Sequence, residues 1–377
     1  MNEFDLLRTC RRDLHRIPEL DVDLPKTLAY VEARLAELKD ACMILHPCKS
    51  TICALFEASH SDNHRTVAVR TDMDALPVTE RTGAPYASQH EGRMHACGHD
   101  GHMAMALALC RWLAAHRNEL SRNVMVAFQP AEETSGGARR LCKSGVFEQY
   151  GVDRIFGFHL WPDLPEGVIA SRPGPLLASS NEVDVTFSGR SSHIATWQEG
   201  RDALRAATHF VGDVYERLER MASESVLSEG HVLLRFGTMG AGTVRNAIAA
   251  TAEVHGSLRA ERMADRADAM QVVKRAATAA ASAQGCTTKV YFSEGNPPVT
   301  NDRHLFELAA DTLPHLTRVK RPLLIAEDFA WYQQCLPGLF LLLGTGTGIP
   351  LHADTFDFDE RVLQVGLDAY KRLVMLP

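Results

Sequence analysis

The sequence predicts an α/β fold: a layered domain with a largely parallel sheet, interrupted by a smaller antiparallel domain. Three observations carry this. Short apolar, β-rich runs alternate with helical patterns, a central stretch switches to polar/apolar alternation, and prolines bracket that stretch. At 377 residues, 45% of them apolar, the chain exceeds one compact domain and can bury a large core, so two domains are expected.

Residues 4–15 open the chain with helical spacing. The runs 66–71 (TVAVRT), 123–129 (NVMVAFQ), 154–159 (RIFGFH) and 338–344 (GLFLLLG) are continuously apolar enough to read as buried strands. Residues 102–116 (HMAMALALCRWLAAH) supply an intervening helix. If these strands are parallel neighbours, their carboxyl ends share one rim, where open α/β sheets gather ligands. Those ends are unusually polar. The first leads to Asp72 and Asp74, the second to Glu132 and Glu133, the third ends at His159, and after the fourth come GTGTG and His352.

The stretch 181–292 has its own rhythm. An alternating strand (182–188), a helix (201–220), strands at 232–237 and 251–258, a helix (263–284) and a strand (287–292) give β-α-β-β-α-β, a ferredoxin-like order with two helices on one face of an antiparallel sheet. Pro173 and Pro175 precede it, and Pro297 and Pro298 follow. The boundaries are therefore set at 1–178 and 296–377 for the main domain and 179–295 for the insert.

Composition narrows the partners. The net charge is −7 with no long basic block, which argues against nucleic acid and anionic membranes and leaves a small-molecule substrate. The first thirty residues lack a signal-peptide pattern, and no apolar run approaches the roughly 20 residues of a membrane span. Nine cysteines without paired spacing, in a chain that needs no staples, fit reduced thiols and a cytoplasmic setting.

Cys97 differs from Cys53, Cys110 and Cys335, which lie in apolar segments. It sits in MHACGHDGH (94–102), where Gly98 lets Cys97 and His99 converge from a loop or a helix start. A borderline-soft ion such as zinc accepts thiolate and imidazole together; the competing reading is a Cys/His pair without metal. Glu132 and Glu133 are adjacent, so one can bind an ion while the other faces water as a base. Alone, they could equally be acids at a helix start. His159 and His352 taken singly would more often be structural, and Asp72 and Asp74 suit the orienting of a ligand histidine. HEGRMH (90–95) is not HExxH, GTGTG lacks nucleotide-loop spacing, and no GxSxG elbow occurs.

These motifs together resemble the two-metal amidohydrolases that include aminoacylases, hippurate hydrolases, auxin-conjugate hydrolases and N-acetyldiaminopimelate deacetylases. DLHRIPEL (13–20), RTDMDALPV, HEGRMHACGHDGH, FQPAEE, GFHLWPDLPEGVI, the insert and EDF (327–329) occur in the family's order over nearly the whole chain. The resemblance implies a zinc-peptidase-like catalytic domain holding two divalent ions (Zn, Mn, Ni or Co) through Cys97, His99, Glu133, His159 and His352, with Cys97 bridging. It makes Glu132 the base, Asp74 the supporting acid, and His193 a lid histidine that reaches the carbonyl oxygen, often from a neighbouring subunit. Asn246 and Arg259 would bind substrate, and the insert would be the lid and the dimer or tetramer contact. The implied reaction is hydrolysis of N-acyl amino acids to a carboxylic acid and an amino acid. N-acetyldiaminopimelate deacetylation ranks second, with a dipeptidase alongside it, and a catalytically silent metal-binding scaffold is the reading from a different class. Two departures touch the lid: Trp197 stands where many relatives have proline, and the segment after Asn246 lacks the usual proline.

Overall fold

A computed structural model of the chain describes residues 2–59, 65–134, 136–224 and 231–377. In chain order the elements are α1 (Glu3–His15), α2 (Pro25–Ala36), β1 (Met43–Leu45), β2 (Ile52–Phe56), β3 (Thr66–Asp72), α3 (His99–His116), β4 (Asn123–Gln129), α4 (Gly137–Lys143), α5 (Val146–Gln149) and β5 (Val152–Trp161). Then come β6 (Ile169–Ser171), β7 (Gly174–Leu177), β8 (Ser179–Ser188), α6 (Ala203–Glu224), β9 (Val232–Ala241), β10 (Thr251–Ala260), α7 (Met263–Ala283) and β11 (Thr287–Phe292). The chain closes with β12 (Val299–Asn301), α8 (Arg303–Thr312), β13 (Thr317–Arg318), β14 (Gly338–Gly344) and α9 (Val362–Val374). Among the described residues no helix is long and apolar enough to cross a membrane.

The chain divides into two compact units. The first comprises Met1–Leu176, Thr300–Arg321 and Asp328–Pro377; the second comprises Leu177–Val299 and Pro322–Glu327.

In the first unit an eight-stranded sheet runs β1-β2-β4-β3-β5-β14-β6-β13. Its centre is β4, β3, β5 and β14, four parallel neighbours whose residues are almost all buried, which is why they read as unbroken apolar runs. Register puts Asp72 opposite Gln129, and Leu342 opposite His159, so the carboxyl ends finish at one level. The third run begins earlier and ends later than its apolar pattern shows, at Val152 and Trp161. Helix α3 is buried from His99 to Cys110 on every side, because α1 and α9 cover it while the sheet lies beneath.

The second unit has a four-stranded antiparallel sheet in the order β11-β8-β10-β9. Alternate residues of β8 (Val183, Val185, Phe187) face a core completed by Phe210 and Val214 of α6 and Val273 and Ala277 of α7. Strand β9 is an edge, exposed over most of its second half.

Candidate metal centre

Gly98 starts the site. At φ +80° it adopts a conformation that L side chains avoid, and a Cβ there would stand 2.8 Å from Leu160 Cδ1. This bend ends the loop and begins α3 at His99, three residues before the helical pattern becomes visible in sequence. His99 Nδ1–H donates to the Asp74 backbone carbonyl at 2.8 Å, which leaves Nε2 as the lone-pair nitrogen. That nitrogen is buried and has no hydrogen-bond partner among the described residues.

His159 repeats the arrangement at the end of β5. Its Nδ1–H donates to Leu160 O at 2.6 Å, and its Nε2 lies 3.4 Å from Cys97 Sγ. His102, from the same run, is used differently: Nδ1–H donates to Asp72 at 2.6 Å and Nε2 accepts the Leu160 N–H at 3.0 Å. Both nitrogens are committed, so His102 stands behind the site.

The two glutamates follow a second unusual backbone position. Ala131 is fully buried at φ +57°, and this turn aims the amides of Glu132 and Glu133 at the Asp74 carboxylate, at 3.0 and 3.1 Å. Asp74 lies just beyond β3, so it braces the glutamates with its carboxylate and His99 with its carbonyl. Glu133 Oε1 is buried without a hydrogen bond and lies 3.5 Å from His352 Nε2. His352 sits at φ +69°, with its N–H donating to Ala96 O at 2.9 Å. Glu132 Oε1 accepts the Asp328 N–H at 3.4 Å.

Of the groups of donor atoms within 4.8 Å of one another among the described residues, Cys97/His99/His159 and Cys97/Glu133/His352 share Cys97, and His99/Glu132/Glu133 adjoins them. Electrostatics fit the same use. Burial, reinforced by Glu133 and Glu132, pushes the Cys97 thiol well up; burial and Asp74 raise Glu133 to about 8. Burial holds His99 far down and, with His102, holds His159 at about 3, so both rings are neutral. Acids crowded until they hold their protons, beside neutral imidazoles, are groups that a divalent cation converts to ligands by displacing those protons.

Beneath this lies a layer that the sequence did not single out. Arg70, inside β3, donates to Asp72 at 2.6 Å, Gln129 at 2.8 Å and Asp328 at 2.8 Å, while Gln129 Nε2 donates to Asp328 at 2.7 Å and Tyr332 OH to Gln129 at 2.8 Å. The available signal was a charged residue within an apolar strand, together with Asp328 of the EDF motif.

The remaining named residues belong to the second unit. His193 is exposed, and its Nδ1 accepts the Ala195 N–H at 3.2 Å, so the ring proton sits on Nε2, ready to donate. The Ile194 N–H donates to Asn246 O at 3.0 Å, which places His193 and Asn246 on neighbouring loops. Arg259 is half-buried on β10, its side chain has no hydrogen-bond or ion-pair partner among the described residues, and burial lowers the affinity of its guanidinium for its proton. Asn246 lies on the loop five residues before β10 begins, and Arg259 near the end of that strand.

With this geometry in hand, comparison with known proteins gives one answer. The model of peptidase family M20/M25/M40 matches residues 68–376. The chain belongs to this family. Across 98% of its length and 97% of the relative's, this M20 chain is 34% identical to the N-acetyldiaminopimelate deacetylase of Lacticaseibacillus casei (strain BL23). It is 35% identical to that of Streptococcus pneumoniae (strain Taiwan19F-14), over 97% of the chain and 96% of the relative. Among solved structures, the YXEP protein of Bacillus subtilis, described as a dinuclear metal-binding peptidase of the M20 family, superposes with a TM-score of 0.86 at 30% identity, covering 99% of this chain and 98% of the other. A putative aminohydrolase from methicillin-resistant Staphylococcus aureus gives 0.90 at 28% identity, covering 99% and 97%. The M20 chain is thus an amidohydrolase with a metal-binding α/β domain.

Proposed function

We propose that the protein deacylates N-acyl amino acids and that N-acetyl-diaminopimelate is its foremost substrate. The carrying observation is the pair of donor groups sharing Cys97, with Glu132 beside them, in a chain similar over nearly its whole length to N-acetyldiaminopimelate deacetylases. The relatives favour this substrate over the general aminoacylase reading that the sequence ranks first.

Cys97, His99 and His159 would hold one ion, and Cys97, Glu133 and His352 the other; zinc, manganese, cobalt and nickel would all suit mixed sulfur, nitrogen and oxygen donors. The ions supply Lewis acidity toward the amide carbonyl and toward water. Glu132 takes the water proton and delivers it to the leaving nitrogen. His193 donates from Nε2 to the oxygen on which negative charge develops. The guanidinium of Arg259 takes the substrate carboxylate through paired hydrogen bonds.

His193 and Asn246 sit on neighbouring loops and are read as acting together. The family resemblance supports their acting from a second copy, in a homodimer formed through the inserted unit. Exposed Ile194, Trp197, Leu204, Met239 and Val244 on that unit supply apolar surface for such a contact.

A second reading, a wider acyl range, is favoured by Trp197. Its indole is 56% exposed, four residues after His193 in the same short helical segment.

The deciding experiment offers the metal-loaded protein N-acetyl-diaminopimelate, N-acetyl, N-benzoyl and longer N-acyl amino acids, and dipeptides, and measures released amine. Preference for N-acetyl-diaminopimelate is expected. Preference for benzoyl or longer acyl groups replaces it with the second reading, cleavage confined to dipeptides makes it a dipeptidase, and no turnover of any compound sinks the assignment.

A further inference from the structure

We propose that Arg11 is a positioning residue that fixes the spacing between the chain segments carrying Cys97 and His352, and so makes the second ion position; this rests on the two-ion reading above. Arg11 lies on α1, far in sequence from every ligand, and is 1% exposed. Its Nε–H donates to Asp100 Oδ2 at 3.0 Å and its Nη2 to Asp357 Oδ1 at 2.6 Å. Its Nη1 donates to Tyr86 OH at 3.0 Å and to Glu360 Oε1 at 3.4 Å, and Tyr86 OH donates on to Asp357 Oδ2 at 2.8 Å. Asp100 directly follows His99 and lies three residues from Cys97, whereas Asp357 lies five residues after His352. One guanidinium therefore grips both ligand-bearing segments.

The two segments also pack face to face. A Cβ on Gly98 would lie 3.5 Å from Phe356, and one on Gly101 would lie 2.9 Å from Phe358, so the stretch after His352 rests on the first turn of α3. The Arg11 guanidinium stacks on the other side of Phe358, 4.3 Å from its ring centre.

His352 needs such anchoring. It is half-exposed and held at φ +69°, a conformation that histidine does not prefer, so the neighbouring attachments must keep it in place. His99 and His159 are instead oriented by the Asp74 and Leu160 carbonyls, which Arg11 does not touch. A buried ion network of this kind contributes little net stability compared with apolar packing, and its geometric effect is the part a lysine or an alanine cannot reproduce. Loosening the grip should release the His352 side and spare the other.

The test uses the full chain, stripped of metal and titrated with Co²⁺, as wild type, Arg11→Lys and Asp357→Ala. Bound cobalt is counted by elemental analysis after dialysis, and the thiolate-to-cobalt absorption band reports Cys97. Wild type is expected to take two ions. Both variants should keep the first with its thiolate band and bind the second at least tenfold more weakly, while thermal unfolding shows them folded. Asp357, whose side chain is 32% exposed, is the variant that keeps its fold even if Arg11→Lys does not. Two ions at wild-type affinity in folded Asp357→Ala, or parallel weakening of both, would overturn the proposal. A wild-type chain that binds fewer than two ions overturns the two-ion reading, and this inference with it.

Discussion

Asp74 Oδ2 accepts the backbone N–H of Glu133 at 3.1 Å, so the glutamate is fixed by its main chain while its carboxylate faces Cys97 and His352. The same carboxylate holds the Glu132 amide, and the Asp74 carbonyl orients His99. Asp74→Asn puts an N–H₂ where an acceptor is needed. A roughly 10–100-fold loss of metal affinity or of kcat/KM is expected. Cobalt titration and steady-state kinetics check it; unchanged values in both would remove Asp74 from its supporting role.

Glu132→Gln removes the base and leaves every proposed ligand in place. The variant should bind ions as wild type does and lose about 10²–10⁴-fold in kcat. Metal analysis beside kinetics on the same preparation decides it, and near-normal turnover would require another base.

Metal uptake should depend on pH. In the metal-free chain burial and Asp74 raise Glu133 to about 8, and burial pushes the Cys97 thiol higher still, so both are protonated at neutral pH. An entering ion must displace those protons. Affinity should therefore rise with pH through 8 and fall below it, with proton release on binding. Calorimetric titrations in buffers of different ionisation enthalpy measure the protons; zero release contradicts the assignment of these ligands.

His15 links pH to stability. Burial opposes its charge, but Asp100, with hydrogen bonds from the ring to Asp100 at 2.8 Å and Glu80 at 3.2 Å, raises it to about 9. A raised folded value means that the contribution is complete below the unfolded value near 6.5 and is lost as pH rises through 9. It is worth on the order of 3 kcal/mol. Urea unfolding of wild type and His15→Gln at pH 6 and pH 9.5 should show the gap between them closing at the higher pH.

Arg259→Ala should raise KM for carboxylate-bearing substrates by about tenfold or more, the worth of a charge-assisted bond, and Arg259→Lys should recover part of it. Kinetics on an N-acyl amino acid and its amide counterpart separate the cases. Equal effects on both would mean that Arg259 meets some other group.

Much of the site was legible along the chain. Metal-ligand chemistry restricts residue type, and MHACGHDGH and PAEE point to a candidate site, whereas His159 and His352 taken singly do not and enter only through the resemblance. The four central strands were readable because burial on both faces leaves an unbroken apolar run. The flanking strands β1, β6 and β13 were not singled out, since two or three residues are too few to form a pattern, whereas the apolar run of β2 was readable but was likewise not singled out. Arg70 was hidden because a charge inside a strand has meaning only once its partners, drawn from β4 and from residue 328, are known.

By itself, then, the sequence determined the α/β class, the inserted β-α-β-β-α-β unit and the residue types of a metal centre, because periodicity and donor chemistry are properties of the chain. Tertiary structure decided which histidines have a free nitrogen. His99 and His159 spend one nitrogen on a carbonyl and keep the other, whereas His102 spends both. It also decided that Arg11 bonds to Asp100 and Asp357, on the two segments that carry Cys97 and His352. Those facts depend on hydrogen bonds between residues up to 349 positions apart, and no local pattern encodes them.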